Sequence, residues 1–236
     1  MDAAYITCMR TGAAGAIGAK TLARRDSRNL FILGAGKQTI YQIAATLILL
    51  PQINKVFIAD PIDYTNAEKL SQRIQADLAT NFGIERAYSI DFQPVTNMED
   101  SVGESDVIIT VTPSRLPIIK KEWVKPGTHF SCIGADMEGK EEIDPEIFLG
   151  AKVFADDKDQ CMRVGEMEIP IKQEKISPDD VKGEIGDVLT GKISGRESDS
   201  DITIFDATGL AILDLVTGKV AIESARAKGL GIRAEI

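Results

Sequence analysis

Asn29-Leu30-Phe31-Ile32-Leu33-Gly34-Ala35-Gly36 decides the fold. The unbroken apolar run from Leu30 to Leu33 suits a strand covered on both faces, as strands of a parallel sheet are. Gly34-Ala35-Gly36 breaks the run, and Thr39–Leu50 then reads as a helix that stops at Pro51. Strand, Gly-x-Gly turn and helix together open a dinucleotide-binding fingerprint. The first glycine permits the tight turn, and the second lets the backbone approach a diphosphate. The helix N-terminus offers unpaired N–H groups and partial positive charge to the anion. Thr39 stands where a third glycine or an alanine is usual, a departure from the pattern.

Working outward, Lys55–Asp60 reads as a second buried strand and Asn66–Asn81 as an amphipathic helix. Tyr88–Ile90, Val107–Val111, His129–Gly134 and Lys152–Ala155 are expected to be the third to sixth strands, with Ile202–Phe205 as a late short one. Such alternation predicts βαβ units and an α/β, Rossmann-type doubly wound parallel sheet. The polar stretch Ser177–Ser200 is expected to wrap the surface, and Ala211–Lys228 to form an amphipathic helix. Residues 6–25 read as a helix of small residues, from Thr11-Gly12-Ala13-Ala14-Gly15 to Gly18-Ala19. So many helical glycines imply either tight helix packing or a ligand close to the backbone.

Bulk properties exclude several classes. A net charge of −9 repels a phosphate backbone, which argues against nucleic acid as partner. The longest apolar stretch, Ile43–Leu50, is too short for a bilayer, and Met1-Asp2-Ala3 lacks a signal peptide's basic start. Cys8, Cys132 and Cys161 form no CxxC pair, so no metal site or disulfide framework is expected, and a reducing cytoplasm fits. His129 is the single histidine; at the head of an apolar strand it is expected to be a hydrogen-bonded core residue. Acid–base chemistry must then rest on carboxylates, lysines or a cofactor.

Asp60 ends the second strand 24 residues after Gly36, where a carboxylate accepts hydrogen bonds from the adenosine ribose. It would repel a 2′-phosphate, and no arginine lies within Ile58–Tyr64, which favours NAD over NADP. The alternative for Asp60 is a turn residue before Pro61. Thr112, beyond the fourth strand, is placed to bond the cofactor or to cap a turn. Asp136 leaves the fifth strand on the ligand side, followed by Lys140. Partial burial would raise the Asp136 pKa and suit it to proton transfer, with Lys140 steadying its charge; the alternative is a solvated Asp–Lys pair. Arg10 fits a substrate carboxylate through two parallel bonds, or else is a surface arginine. Asp206-Ala207-Thr208-Gly209 reads as another strand-to-helix turn facing the site.

Four motifs in order, Arg10-Thr11-Gly12-Ala13-Ala14, Leu33-Gly34-Ala35-Gly36-Lys37-Gln38, Ile133-Gly134-Ala135-Asp136 with Gly139-Lys140, and Phe205-Asp206-Ala207-Thr208-Gly209-Leu210-Ala211, resemble the ornithine cyclodeaminase / mu-crystallin family. The family holds ornithine and lysine cyclodeaminases, an archaeal type of alanine dehydrogenase, ketimine reductases and mu-crystallin. The resemblance implies that Arg10 holds the substrate carboxylate and that Asp136 is the catalytic aspartate. It implies a cofactor pocket made by Thr11, Gly34, Ala35, Gly36, Lys37, Gln38, Asp60, Thr112, Phe130, Ser131, Cys132, Ile133, Lys140, Ala207 and Thr208. Family chains carry a long segment ahead of the Arg-Thr motif, which here begins at Arg10, so the resemblance implies a truncated chain. Residues 1–25 would be a linking helix and remnant of a substrate and dimerisation domain, 26–208 the NAD-binding domain, and 209–236 a helix packing back toward that second domain.

The expected function is NAD-dependent hydride transfer at the α-carbon of a small amino acid or cyclic imine, in a protein whose complete form is a homodimer. A catalytically inactive NAD(P)-binding protein of the mu-crystallin type is the alternative. An S-adenosylmethionine methyltransferase shares the glycine turn and the acidic strand end, but not the four motifs.

Overall fold

The computed structural model describes residues 2–232. Its strands are β1 Asn29–Leu33, β2 Lys55–Ala59, β3 Asp91–Pro94, β4 Val107–Thr110, β5 Arg115–Ile119, β6 His129–Cys132, β7 Glu141–Ile143, β8 Lys152–Ala155, β9 Val181–Glu184 and β10 Thr203–Asp206. Its α-helices are α1 Ala3–Leu22, α2 Thr39–Leu49, α3 Tyr64–Phe82, α4 Met98–Glu104, α5 Lys158–Val164, α6 Glu168–Lys172, α7 Ile185–Leu189 and α8 Ala211–Ala227. Eight strands form one parallel sheet in the order β3-β2-β1-β4-β6-β10-β8-β9, while β5 and β7 pair separately. The chain order reverses between β1 and β4, and ligands of open α/β sheets bind at such a switch point, beyond the strand carboxyl ends. The expected doubly wound parallel sheet is therefore found.

Alternation along β1 divides the core. Leu30 and Ile32 pack with α1, α2 and α3 on one face; Phe31 and Leu33 pack with Phe57, Ile108 and Phe130 on the other. All four are fully buried, as a central parallel strand requires. No helix among the described residues is long and apolar enough to cross a membrane.

Two expectations about elements are corrected. Tyr88–Ile90 is not a strand: residues 85–89 form a 3₁₀ turn, and the sheet edge is Asp91–Pro94. The apolar signal misled because Ile90 is buried by packing under α3, whereas the real edge strand is polar and ends in proline, which only an edge tolerates. Nor does Ser177–Ser200 merely wrap the surface, since Val181–Glu184 closes the opposite edge as β9 and Ile185–Leu189 is helical. The late helix is present as α8, but none of its residues is buried, and Leu215, Val216 and Val220 are exposed.

The small residues of α1 are explained by packing. A Cβ on Gly12 would lie 2.6 Å from the Tyr41 carbonyl oxygen, and one on Gly18 would lie 2.2 Å from the Phe205 ring. Gly12→Ala would gain about 1 kcal/mol of helix propensity. The collision is with backbone, which cannot rotate away, and overpacking costs about 1–3 kcal/mol. A net loss of stability in urea unfolding is the expected result; a stabilised variant would contradict the close approach of α1 and α2.

Candidate cofactor and substrate cleft

The turn after β1 is built for close approach. Gly34 has φ +115°, and a Cβ there would come within 3.0 Å of the Val111 carbonyl oxygen, so both backbone and neighbour exclude a side chain. Gly36 differs: a Cβ there would meet nothing within 4 Å, which leaves open space in front of α2. Among the described residues no side chain caps α2, and the buried Gln38 Oε1 has no hydrogen-bond partner. Space and an uncapped helix N-terminus together fit a diphosphate. Thr39 accounts for its own departure from the fingerprint, because its buried Oγ1 donates to the Gly34 carbonyl at 2.8 Å and locks the turn.

Gly34 N donates to Ala59 O at 2.8 Å, so the glycine turn and Asp60 are neighbours on one rim. Asp60 also makes the turn of the alternative reading: its Oδ1 accepts from Ile62 N and Asp63 N, and its Oδ2 from Asn66 Nδ2. These bonds hold the carboxylate beside the glycines.

Across the sheet, a cleft of about 300 Å³ is lined by Thr7, Arg10, Thr11, Gln38, Val111, Thr112, Pro113, Ile133, Gly134, Asp136, Lys140, Ala207 and Thr208. It joins residues from all four motifs. Phe130, Ser131 and Cys132 do not line it. As β6 runs between β4 and β10 with helices over both faces, these side chains are fully buried, and only residues from Ile133 onward emerge. Lys37 is exposed and, with Gly36, lines a separate groove beside Tyr41 and Phe82.

The expected partial burial of Asp136 is not found. Its side chain is 49% exposed, because the loop it heads projects beyond the strand ends. Lys140, only 13% exposed, donates to Asp136 Oδ1 at 2.5 Å and to Gly134 O at 3.2 Å. Oδ2 of Asp136 is left for another proton. Arg10 is no surface arginine: its side chain is 18% exposed, and its Nε pairs with Asp214 at 3.3 Å. Gly209, at φ +91°, makes room for it, since a Cβ there would lie 2.6 Å from Arg10 Nη1.

His129 is the core residue expected. Its Nδ1 meets Thr203 Oγ1 at 2.9 Å and its Nε2 meets Ser131 Oγ at 3.0 Å. Complete burial, helped by the Arg196 charge, pushes its pKa down to about 3. It is neutral at ordinary pH and remote from catalysis.

The sequence model of the Ornithine cyclodeaminase/mu-crystallin family matches residues 1–229. This chain belongs to that family. An alanine dehydrogenase of Archaeoglobus fulgidus is 40% identical over 232 residues, which cover 98% of this chain and 67% of that one. The iminosuccinate reductase of Paracoccus denitrificans is 34% identical, with 98% and 67% covered. Among solved structures, Thermococcus litoralis Δ1-pyrroline-2-carboxylate reductase in complex with NADH and L-proline superposes with a TM-score of 0.87 at 32% identity, over 98% of this chain and 68% of that one. An archaeal alanine dehydrogenase dimer with bound NAD gives 0.85 at 38%, over 100% and 69%.

Three carboxylates that shape this family member's cleft escaped sequence reasoning. Glu142, on β7, accepts from Thr112 N, Thr112 Oγ1 and Gly134 N. Asp156, beyond β8, accepts from Thr208 N at 3.3 Å and Gly209 N at 2.8 Å, fixing the loop against which Arg10 lies. Asp214 on α8 pairs with Arg10. For Glu142 alone a signal existed: it stands two residues beyond Lys140, in a stretch already singled out.

Proposed function

We propose that this chain is the nucleotide-binding part, with the core of the substrate site, of an NAD-dependent oxidoreductase or cyclodeaminase. Its substrate is a small amino acid or cyclic imine, and the reaction is hydride transfer at the α-carbon. The observation that carries the reading is the convergence of Arg10, Asp136 and Lys140 on one cleft at the carboxyl ends of the strands whose first turn leaves space at Gly36. The neighbours' bound NAD and NADH support the choice of cofactor.

Gly34, Gly36 and the α2 N-terminus would hold the diphosphate, Asp60 the ribose, and Thr112, Ile133, Ala207 and Thr208 the remainder. When bound, NAD supplies the hydride acceptor, or NADH the donor, and so carries the hard chemistry. Arg10 binds the substrate carboxylate through its Nη edge, since Asp214 holds its Nε. Asp136 takes a proton from the amine or the attacking water at Oδ2, while Lys140 fixes the carboxylate by Oδ1. Asp156 keeps the Thr208–Gly209 loop seated, and with it Arg10.

We further infer a cytoplasmic homodimer, with residues 26–208 as the NAD-binding domain. Residues 1–25 and 209–236 would join it to a second domain; residue 1 and residues 233–236 of those spans lie outside the described residues. The exposed apolar side chains of α8 support the second-domain contact, and three free buried cysteines are compatible with a reducing compartment.

Incubation with NAD and a panel of L-amino acids, followed by NADH absorbance, tests the enzyme reading. NAD binding without turnover of any member, in either direction, would overturn it for this chain. Asp60→Ala is expected to weaken NAD binding by about 1–3 kcal/mol, the scale of hydrogen bonds to a charged group. Calorimetry showing unchanged affinity would remove Asp60 from the ribose site.

A further inference from the structure

The last ladder bond between β4 and β6 is Ile133 N to Thr110 O, at 3.0 Å. Beyond it the two chains leave the sheet and become adjoining walls of the cleft, Thr112 on one side and Gly134 on the other. A carboxylate reaches both. Glu142 Oε1 accepts from Thr112 N at 2.6 Å and from Thr112 Oγ1 at 2.7 Å, while Oε2 accepts from Gly134 N at 3.1 Å. The packing around it leaves no slack: a Cβ on Gly134 would fall 2.4 Å from Glu142 Oε2 and 2.3 Å from the Thr112 carbonyl oxygen. Glu142 is fully buried, and its own backbone is tied down, its N–H and that of Ile143 both donating to Glu166 Oε1.

Only a group that accepts with both ends satisfies this arrangement. Each of its three partners offers a proton: two backbone N–H groups and one hydroxyl. Burying a carboxyl group is costly, but a hydrophobic side chain of similar size would leave the Thr112 and Gly134 N–H groups without an acceptor. Burial pushes the Glu142 pKa up to about 7 even with these donors in place. The cost is borne at the point where two walls of the cleft need a fixed spacing.

We propose that Glu142 is a positioning residue of the cofactor cleft, its carboxylate bridging Thr112 and Gly134 and setting the separation of the walls that would receive the nicotinamide end of NAD. This deepens the reading of the cleft as an NAD site and rests on it. Glu142 touches no cofactor and acts through Thr112 and Gly134.

Two variants break the bridge in different ways. Glu142→Gln keeps the shape but turns one acceptor into a donor facing a donor. Glu142→Asp keeps the charge but falls one methylene short of spanning both loops. In the full chain, calorimetric Kd is measured for NAD and for ADP, which lacks the nicotinamide end, and the melting temperature is measured without nucleotide. Both variants are expected to weaken NAD by about tenfold or more, the scale of one hydrogen bond to a charged group, with ADP affinity within about twofold of wild type. A side chain that only supports the core would lower the melting temperature and leave both affinities of the folded protein unchanged. Folded variants that bind NAD like wild type overturn the proposal, and so does an equal loss of NAD and ADP. If Glu142→Gln does not fold, Glu142→Asp decides. If neither folds, Glu142 is a folding residue and the proposal fails. A wild-type chain that binds neither nucleotide would instead sink the NAD reading itself.

Discussion

The Asp136→Asn variant is expected to turn over about 10²–10⁴ times more slowly than wild type, the usual contribution of a placed acid–base group. NAD affinity is expected to stay within about twofold, because the substitution leaves the α2 turn and the Asp60 rim untouched. The argument is one of proton inventory. The only histidine is buried, hydrogen-bonded on both ring nitrogens and neutral. Lys140 is engaged with both Asp136 and the Gly134 carbonyl oxygen. Glu142 is spent on three donors and lies beneath the wall rather than in the cleft. Among the described residues Asp136 alone lines the cleft with a carboxylate, its side chain half exposed, and a carboxamide there can neither take nor return the proton. The isosteric amide still accepts from Lys140, so a fall in kcat reports chemistry and not collapse of the loop. Steady-state rates with the amino acid that proves to be turned over, in both directions, make the measurement. An Asn variant with wild-type kcat would take Asp136 out of the mechanism.

Local signals in the sequence carried the sheet and half of the cleft. Leu30–Leu33 followed by Gly34-Ala35-Gly36 is legible because the apolar run, the turn and the helix start are contiguous, and each has its own physical cause. Asp60, Asp136 and Thr112 could be placed because strand ends in a parallel sheet all point toward one edge. The unread part depends on contacts remote in sequence. The Thr112–Glu142 bond spans 30 residues, Gly209–Asp156 spans 53 and Arg10–Asp214 spans 204. No periodicity announces such a pair. The insertion of β10 between β6 and β8 was hidden for the same reason. Phe130 to Cys132 lie outside the cleft because they form a central strand, whose side chains belong to the core. The small residues of α1 were open to two readings until Tyr41 and Phe205 were seen against Gly12 and Gly18.

Stability should depend on pH through Asp206 with a sign opposite to ordinary acid denaturation. Asp206 ends β10, fully buried, with Oδ2 accepting from Met167 N at 3.0 Å and Oδ1 without a partner among the described residues. Burial pushes its pKa up to about 8, and the neighbouring Asp156 and Glu142 charges add to the rise. A carboxyl whose folded pKa lies above its unfolded value binds more protons when folded. Its contribution is therefore complete below the unfolded pKa, near 4, and is lost as pH rises through 8. Each pH unit in that window costs about 1.4 kcal/mol. In the Asp206→Asn variant the side chain is neutral at every pH and keeps an acceptor for Met167 N. From about pH 5 to about pH 8 the stability difference should shift in favour of the Asn variant by about 2–4 kcal/mol, after discounting for coupling among the buried acids. His129 works in the other direction, its lowered pKa removing stability as pH falls below about 6.5. That contribution is common to both proteins and cancels in the difference. Urea unfolding of both proteins at the two pH values measures the shift. A difference that stays constant would mean that Asp206 is already ionised in the folded protein, and the buried acids beneath the cleft would then have to be re-assigned as charges held by their backbone donors.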